Sequence, residues 1–298
     1  MDNANIDRSD IMPAWASYWV LITVKNGETT ITQTLQSILD QSIKPSLICI
    51  VDDGSKDSTP NILLDFKRKY GDLIHIITLP DSGYDIRRIV HNWNIACEFV
   101  KNSGKEYCYL LISSDDIIFS KDYVKSLLYE ISGNPKLVVA SGSRGLLPSD
   151  DFSLPEGAGR LIKMSYLKQI GYRHPPYYGY EAWILYKALQ MGYTIKKFND
   201  IKYEHLRTFG ILHRFVEYGV SMRCLGYHPM FVIARIFKNL YRNDIGIPKL
   251  ASLKMLSDYF YQNKWKGDSY FQYFEPEVRS FVRSTQKKRL LDRIKKLF

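Results

Sequence analysis

The chain has 298 residues, of which 45% are hydrophobic and 24% charged, with a formal net charge of +10. That apolar content excludes an intrinsically disordered protein and supports one substantial domain plus an extension. No apolar stretch reaches the roughly 18 residues of a membrane-spanning helix, and the N-terminus lacks the basic-then-apolar profile of a signal peptide, so the sequence predicts a protein neither integral nor secreted. Its cysteines, Cys49, Cys97, Cys108 and Cys224, show no paired spacing, and Cys49 and Cys108 sit inside apolar runs, where a free thiol behaves as a small hydrophobe. A reducing cytosol, without disulfides or zinc, is the expectation. The charge is uneven: residues 1–210 hold 24 Lys/Arg against 24 Asp/Glu, whereas residues 211–298 hold 17 against 7. This asymmetry points to a neutral domain followed by a basic extension that meets something anionic.

Taken in chain order, Trp19 to Val24 reads as a first buried strand, and Ile31, Leu35, Ile38 and Leu39 then recur at helical spacing. Leu47 to Val51 is a second strand. Thr59-Pro60 supplies an N-cap and a first-turn proline for a helix reaching about Tyr70. Leu73 to Thr78 is the third strand, a helix follows from about Ile86 to Val100, and Tyr107–Ile112 is the fourth strand. Ser120 can cap a helix through Ile131, and Leu137–Ala140 reads as a fifth strand. Strands alternating with helices at this spacing imply an α/β fold with a doubly wound, mostly parallel sheet. Residues 142–160, rich in Gly, Ser, Pro and Asp, predict a long surface loop. A short helix near Met164–Ile170, a helix from about Glu181 to Met191, and strand pieces at Thr194–Phe198 and Ile201–Glu204 complete this part. Beyond residue 210 the pattern is helical only.

Two acidic turns stand out: Val51-Asp52-Asp53-Gly54-Ser55 and Ser113-Ser114-Asp115-Asp116, each directly after an apolar strand. In open α/β sheets ligands collect at the C-terminal ends of the strands, and carboxylates clustered there can hold a hard divalent cation against phosphate oxygens. The bland reading of the first turn is an Asp/Gly bend with Asp57, Ser58 and Thr59 capping the next helix; that of the second is a helix-approach turn. Against the bland reading, both would share one crevice, and adjacent carboxylates resist joint ionisation without a cation.

The order strand, helix, Val-Asp-Asp-Gly-Ser-Lys-Asp-Ser-Thr, helix, apolar strand, acidic turn, together with Thr34-Leu-Gln-Ser-Ile-Leu-Asp-Gln-Ser-Ile, resembles glycosyltransferase family 2 over about residues 17–207. The resemblance implies the GT-A fold, a nucleotide-sugar donor and an inverting transfer to a glycan or lipid-linked acceptor. It divides the chain into an N-terminal tail (1–16), a GT-A domain (17–210) and a basic helical extension (211–298). By position, Asp53 and Asp52 would contact the base and ribose. Asp115 and Asp116 would occupy the metal-binding Asp-x-Asp region for Mg²⁺ or Mn²⁺, with Ser113 where the first Asp usually stands. Arg87, Arg88 or His91 would meet the diphosphate, although solvated helix charges explain two of the three equally well. Counting back from Gly192-Tyr193, Glu181 matches the family's catalytic base, with Tyr180 in place of the usual Glu. His205 matches a histidine that approaches metal or diphosphate in several members, with a structural role as the alternative, and Arg207 would share the diphosphate. Gly157-Ala158-Gly159-Arg160 resembles an acceptor-side loop, and Thr23-Val24-Lys25-Asn26 stands where the family commonly has Pro-x-Tyr-Asn.

The extension alternates apolar clusters (Met230 to Ile233, Ile236, Phe237) with Arg235, Lys238 and Arg242, and ends in Leu290, Leu291, Ile294 and Leu297 among basic residues. Such helices suit a membrane interface, and predict a cytoplasmic protein held peripherally on the membrane. The alternatives are packing on the catalytic domain with a solvated basic face, or a homodimer contact. The aromatic residues form no evident stacking platform, so nucleic acid is not expected as a partner. A nucleotidyltransferase would carry a Gly-rich basic loop after the first strand, which Val24-Lys25-Asn26-Gly27-Glu28 is not. The remaining alternative is an inactive protein of the same fold that binds a membrane or partner through its basic helices.

Overall fold

The structure is a computed structural model of the chain and describes residues 17–83, 85, 87–144, 154–207, 211–242, 249–261 and 267–295. The N-terminal tail, Tyr84, Ile86, residues 145–153 of the predicted 142–160 loop and Leu297 lie outside these residues, as do the side chains of Arg242 and Ile294.

Four strands, β1 (Tyr18–Val24), β2 (Leu47–Asp52), β3 (Ile74–Thr78) and β4 (Tyr109–Ser114), lie parallel in the order 3-2-1-4. β1, β2 and β4 read as nearly continuous apolar runs because both faces of the sheet are covered. Successive side chains point to opposite faces. Trp19, Leu21, Cys49, Val51, Leu110 and Ile112 therefore join one core, and Tyr18, Val20, Ile22, Ile48, Ile50 and Leu111 the other. The first core is roofed by α3 (Arg88–Asn102) through Trp93, Ala96, Cys97 and Val100. The second takes Ile31, Leu35 and Ile38 of α1 (Ile31–Leu39), Leu63 of α2 (Thr59–Tyr70), and Val124, Leu127 and Ile131 of α4 (Tyr123–Ser132).

The other half of the eight-stranded sheet departs from the parallel pattern. β7 (Arg160–Lys163) enters antiparallel between β4 and β6 (Leu137–Ser143), and β8 (Thr194–His205) runs parallel to β6. The two predicted strand pieces at 194–198 and 201–204 are one strand, with a register shift against β6 where Asn199 and Asp200 intervene. β5 (Ile117–Phe119) pairs antiparallel with the end of β8. β5 and β7 have no counterpart in the sequence reading: at three and four residues they are too short to show a period. α5 (Met164–Gln169) and α6 (Tyr180–Gln190) follow β7.

The extension folds onto the α6 side of the sheet through α7 (Ile211–Cys224), α8 (Pro229–Arg242), α9 (Lys249–Phe260) and α10 (Pro276–Lys295). Val220, Val232, Ile236, Met255, Tyr259, Phe274, Val278 and Val282 are buried in the same core as Trp183 and Leu185 of α6. Each such side chain contributes about 2 kcal/mol. Trp183 stacks on Phe274, and its Nε1 donates to Glu275 at 2.8 Å. Among the described residues no helix is long and apolar enough to cross a membrane.

Candidate active site

At the end of β2, Asp52 is buried and accepts the backbone N–H of Ser55 at 3.0 Å, which closes the turn. Gly54 stands at φ 72°, and any Cβ there would collide with the backbone of Asp81, so glycine is required both for the left-handed bend and for the close approach. Asp53 pairs with Arg88 at the start of α3 (2.6 Å). Lys25 Nζ donates to the Asp53 carbonyl (3.0 Å), the Asp81 carboxylate (2.7 Å) and the Gly83 carbonyl (3.0 Å). Lys56 also meets Asp81 (2.6 Å), and hydrogen bonds from Lys25 and Lys56 hold that carboxyl well below the usual range. A lysine from the β1 turn thus anchors the 79–83 segment over the first acidic turn.

At the end of β4 the pairing of β5 with β8 determines what faces the second acidic turn. Ile117 pairs with His205, and Leu206 N–H donates to the Asp116 carbonyl at 2.8 Å, which sets His205 and Arg207 against the two carboxylates. Asp115 is buried; burial pushes its pKa up to about 6, Asp116 adds to that, and the guanidinium of Arg207, in direct contact, opposes it. The backbone of α1's approach presses on the same carboxylate: a Cβ on Gly27 would stand 2.6 Å from Asp115 Oδ2. Thr34 Oγ1 donates to the Asp115 carbonyl (2.9 Å) and accepts from Ile117 N–H (3.1 Å), locking the turn to α1. Burial also works against ionised Asp116, but hydrogen bonds from His205 and Ser114, with the charge of Arg207, outweigh it and hold its carboxyl below the usual value. His205 Nδ1 lies 3.4 Å and Arg207 Nε 3.7 Å from Asp116 Oδ2. Among the described residues no group of three or more His, Cys, Asp or Glu side chains is arranged to hold a metal ion. What converges is one carboxylate, one imidazole and, through Arg207, the second carboxylate.

Ser114, Asp115, Asp116, His205 and Arg207 line a cavity of about 690 Å³ together with Arg87, Gly157, Ala158 and Glu181. Glu181 lies in the first turn of α6 and is exposed to the cavity. A Cβ on Gly157 would stand 2.8 Å from its Oε2, so the glycine lets the loop before β7 pack against the carboxylate. The same loop is held by Arg160, whose guanidinium is fully buried and donates to the carbonyls of Glu156, Pro155 and Glu181, each at 3.1 Å. Arg160 therefore sets Glu181 through its backbone.

The predicted residues fall into two groups. Asp115, Asp116, His205, Arg207, Glu181 and Arg87 share the cavity, whereas Asp52, Asp53 and Arg88 sit beside it at the adjoining strand end. Arg87 donates to Asp85 (2.7 and 2.8 Å) and Asp268 (3.0 Å) and stacks on Tyr270 (4.7 Å), which ties α3 to the extension. His91 is exposed. The sequence reading missed Glu156, which accepts from Arg144, Lys197 and Tyr203 on the cavity wall, and also Tyr178, Tyr270 and Glu217. No local pattern marks these residues; Glu156 meets its partners through the packing around β6 and β8, and Tyr270 and Glu217 arrive only once the extension folds back.

The strand order 3-2-1-4, with acidic turns at the ends of β2 and β4 and a third carboxylate on α6, defines an α/β protein with a strand-end ligand site. The family model for glycosyl transferase family 2 matches residues 19–190, more than half of the chain, and the protein belongs to that family. Among curated proteins it is similar to the dTDP-rhamnosyl transferase RfbG of Shigella flexneri, at 29% identity over 145 residues, or 47% of each chain. It is also similar to the minor teichoic acid biosynthesis protein GgaA of Bacillus subtilis, at 36% over 67 residues, which is 22% of this chain and 15% of GgaA. The chain thus spans about half or less of the curated relatives it matches. Two solved structures share the fold. The mannosyltransferase PcManGT of Pyrobaculum calidifontis in complex with GDP-Man and Mn²⁺ has a TM-score of 0.57 at 14% identity, covering 96% of this chain and 80% of its own. S. aureus TarS 1–349 in complex with UDP-GlcNAc has 0.52 at 15%, covering 89% and 78%. These likenesses support the expected GT-A fold class.

Proposed function

We propose that this protein is an inverting glycosyltransferase that moves a sugar from a nucleotide-diphosphate donor to a hydroxyl of a glycan or lipid-linked acceptor. The observation that carries the reading is that Glu181 and the Asp115, Asp116, His205, Arg207 cluster line one cavity. Glu181 takes the proton from the acceptor hydroxyl as its oxygen bonds to the anomeric carbon, and the bond from that carbon to the diphosphate oxygen breaks on the opposite face. Arg207 and His205 would bring positive charge and hydrogen-bond donors to the departing diphosphate. Asp53 and Asp52 serve the base and ribose, with Arg88 holding Asp53 in place.

The donor set fits Mg²⁺ or Mn²⁺ shared with the donor rather than caged by protein: Asp116 and His205 would hold it through an oxygen and a nitrogen, with Asp115, now on Arg207, as a further oxygen ligand were that pairing released. Such an ion would supply charge neutralisation on the leaving nucleoside diphosphate. That PcManGT was solved with GDP-Man and Mn²⁺ supports this reading.

Titration calorimetry with UDP, GDP, dTDP and CMP, with and without Mn²⁺, tests the site. One nucleotide is expected to bind in a metal-dependent manner, and Asp115→Ala to abolish binding. Glu181→Gln is expected to keep that affinity and lower transfer by about 10²–10⁴-fold. Metal-independent binding, or full activity in Glu181→Gln, overturns the corresponding assignment.

The partner surface is proposed on α8 and α9. Met230, Phe237 and Tyr241 form one exposed row and Leu250, Leu253 and Phe260 another. With the basic excess of residues 211–298, these rows suit an anionic lipid surface.

A further inference from the structure

The extension contributes an unclaimed carboxylate to the cavity. Glu217, on α7, lines it together with Glu181 and Tyr270. It is half-buried, and no hydrogen bond or ion pair to a described residue satisfies it. Among the charges that act on it, Arg87 favours its ionised form, while Asp85, Glu181 and Asp268 oppose it. Burial is the larger effect and pushes its pKa up to about 7. Arg87, the one cation among these neighbours, already binds Asp85 and Asp268 and is stacked on Tyr270.

The oxygens of this half-buried carboxylate are open to the cavity, and they can be satisfied by donors brought by a ligand. Three features indicate what kind. The nearby acids disfavour a phosphate or carboxylate at this end. Tyr270, half-buried, lines the wall with Arg87 covering one face of its ring, and Tyr178, buried behind it, holds it through Tyr178 N–H donating to the Tyr270 carbonyl (3.0 Å) and Tyr178 Oη donating to Asp268 (2.7 Å). The same cavity contains the proposed base, Glu181. Neutral hydroxyl donors on a ring that packs against Tyr270 meet all three conditions, whereas an anion or an aliphatic chain meets only some.

We propose that Glu217 accepts hydrogen bonds from hydroxyls of the acceptor sugar, so that the extension, and not the family-matched segment alone, builds the acceptor subsite. This rests on the glycosyltransferase reading for the word acceptor, but the saccharide subsite itself is tested without turnover.

The test is saturation-transfer NMR on the full chain with the methyl glycosides of glucose, galactose, N-acetylglucosamine and rhamnose, with and without UDP and Mg²⁺. Glu217→Gln and Glu217→Asp are compared with wild type, and nucleotide affinity is measured in parallel. At least one glycoside should receive saturation from wild type. Glu217→Gln should weaken its binding at least tenfold and Glu217→Asp less, with nucleotide affinity unchanged within about twofold and an undiminished melting temperature, since the substitution removes a carboxylate that burial disfavours. Equal glycoside binding in wild type and Glu217→Gln overturns the role of Glu217. No glycoside bound by wild type overturns the saccharide subsite. Loss of nucleotide binding in wild type, with glycoside binding intact, would instead overturn the donor reading and leave the subsite standing.

Discussion

His174 is wholly buried against the edge of Trp93, with a centroid distance of 5.2 Å, and neither ring nitrogen has a hydrogen-bond partner among the described residues. Its backbone exchanges two hydrogen bonds of 2.8 Å with the side chain of Asn94, so the ring is held in place although it makes no polar contact. Burial first, and the charge of Arg160 second, push its pKa down to about 3. The unfolded chain binds a proton near 6.5, so the contribution of neutral His174 is fully present above that pH and is lost as the pH falls from 6.5 toward 3. The slope approaches roughly 1.4 kcal/mol per pH unit within that window. Melting curves should therefore show a fall in wild-type stability between pH 6.5 and 4.5 that is clearly shallower in His174→Gln. Parallel curves would show that other groups set the acid limit.

At the scale of elements, β7 is the strand on which the proposed catalytic geometry depends. Its first residue, Arg160, is a buried cation whose donors satisfy three carbonyls, two in the loop before it and one at the start of α6. Removing one partner of a buried polar set leaves the others unsatisfied. Arg160→Met should lower stability by about 3 kcal/mol, read as the urea midpoint, and should lower turnover through Glu181 with little change in nucleotide affinity. An unchanged midpoint would mean that water replaces the guanidinium. β7 escaped the sequence reading because it is short and follows the Gly, Ser, Pro and Asp-rich segment. By contrast, β1, β2 and β4 were legible because burial on both faces leaves an unbroken apolar run, and α1 to α4 because their inner faces repeat at helical spacing.

On the scale of the whole molecule, the extension takes part in two surfaces at once. Inward, α7 to α10 share a core with α6, and Arg87, Asp268 and Tyr270 join the start of α3 to the segment before α10. Outward, α8 and α9 present their aromatic and aliphatic rows. Vesicle sedimentation should retain the protein on membranes containing phosphatidylglycerol and not on neutral phosphatidylcholine. Retention should fall several-fold in the double variant Phe237→Ser, Tyr241→Ser and with rising salt. Equal retention of the variant and wild type would remove these rows from the proposed membrane contact.

The sequence by itself determined the strand and helix order of the first half, the two acidic turns and the family, because these are set by local periodicity and by short runs whose spacing is visible along the chain. It also placed the charge excess beyond residue 210. Only the tertiary structure decided which charges face each other. The β5–β8 pairing sets Arg207 and His205 on Asp115 and Asp116, and the returning extension engages Arg87 and adds Glu217 to the cavity. Asp115 and Arg207 are 92 positions apart and Arg87 and Asp268 181. No local preference couples residues so distant; the packing of one buried face against another does.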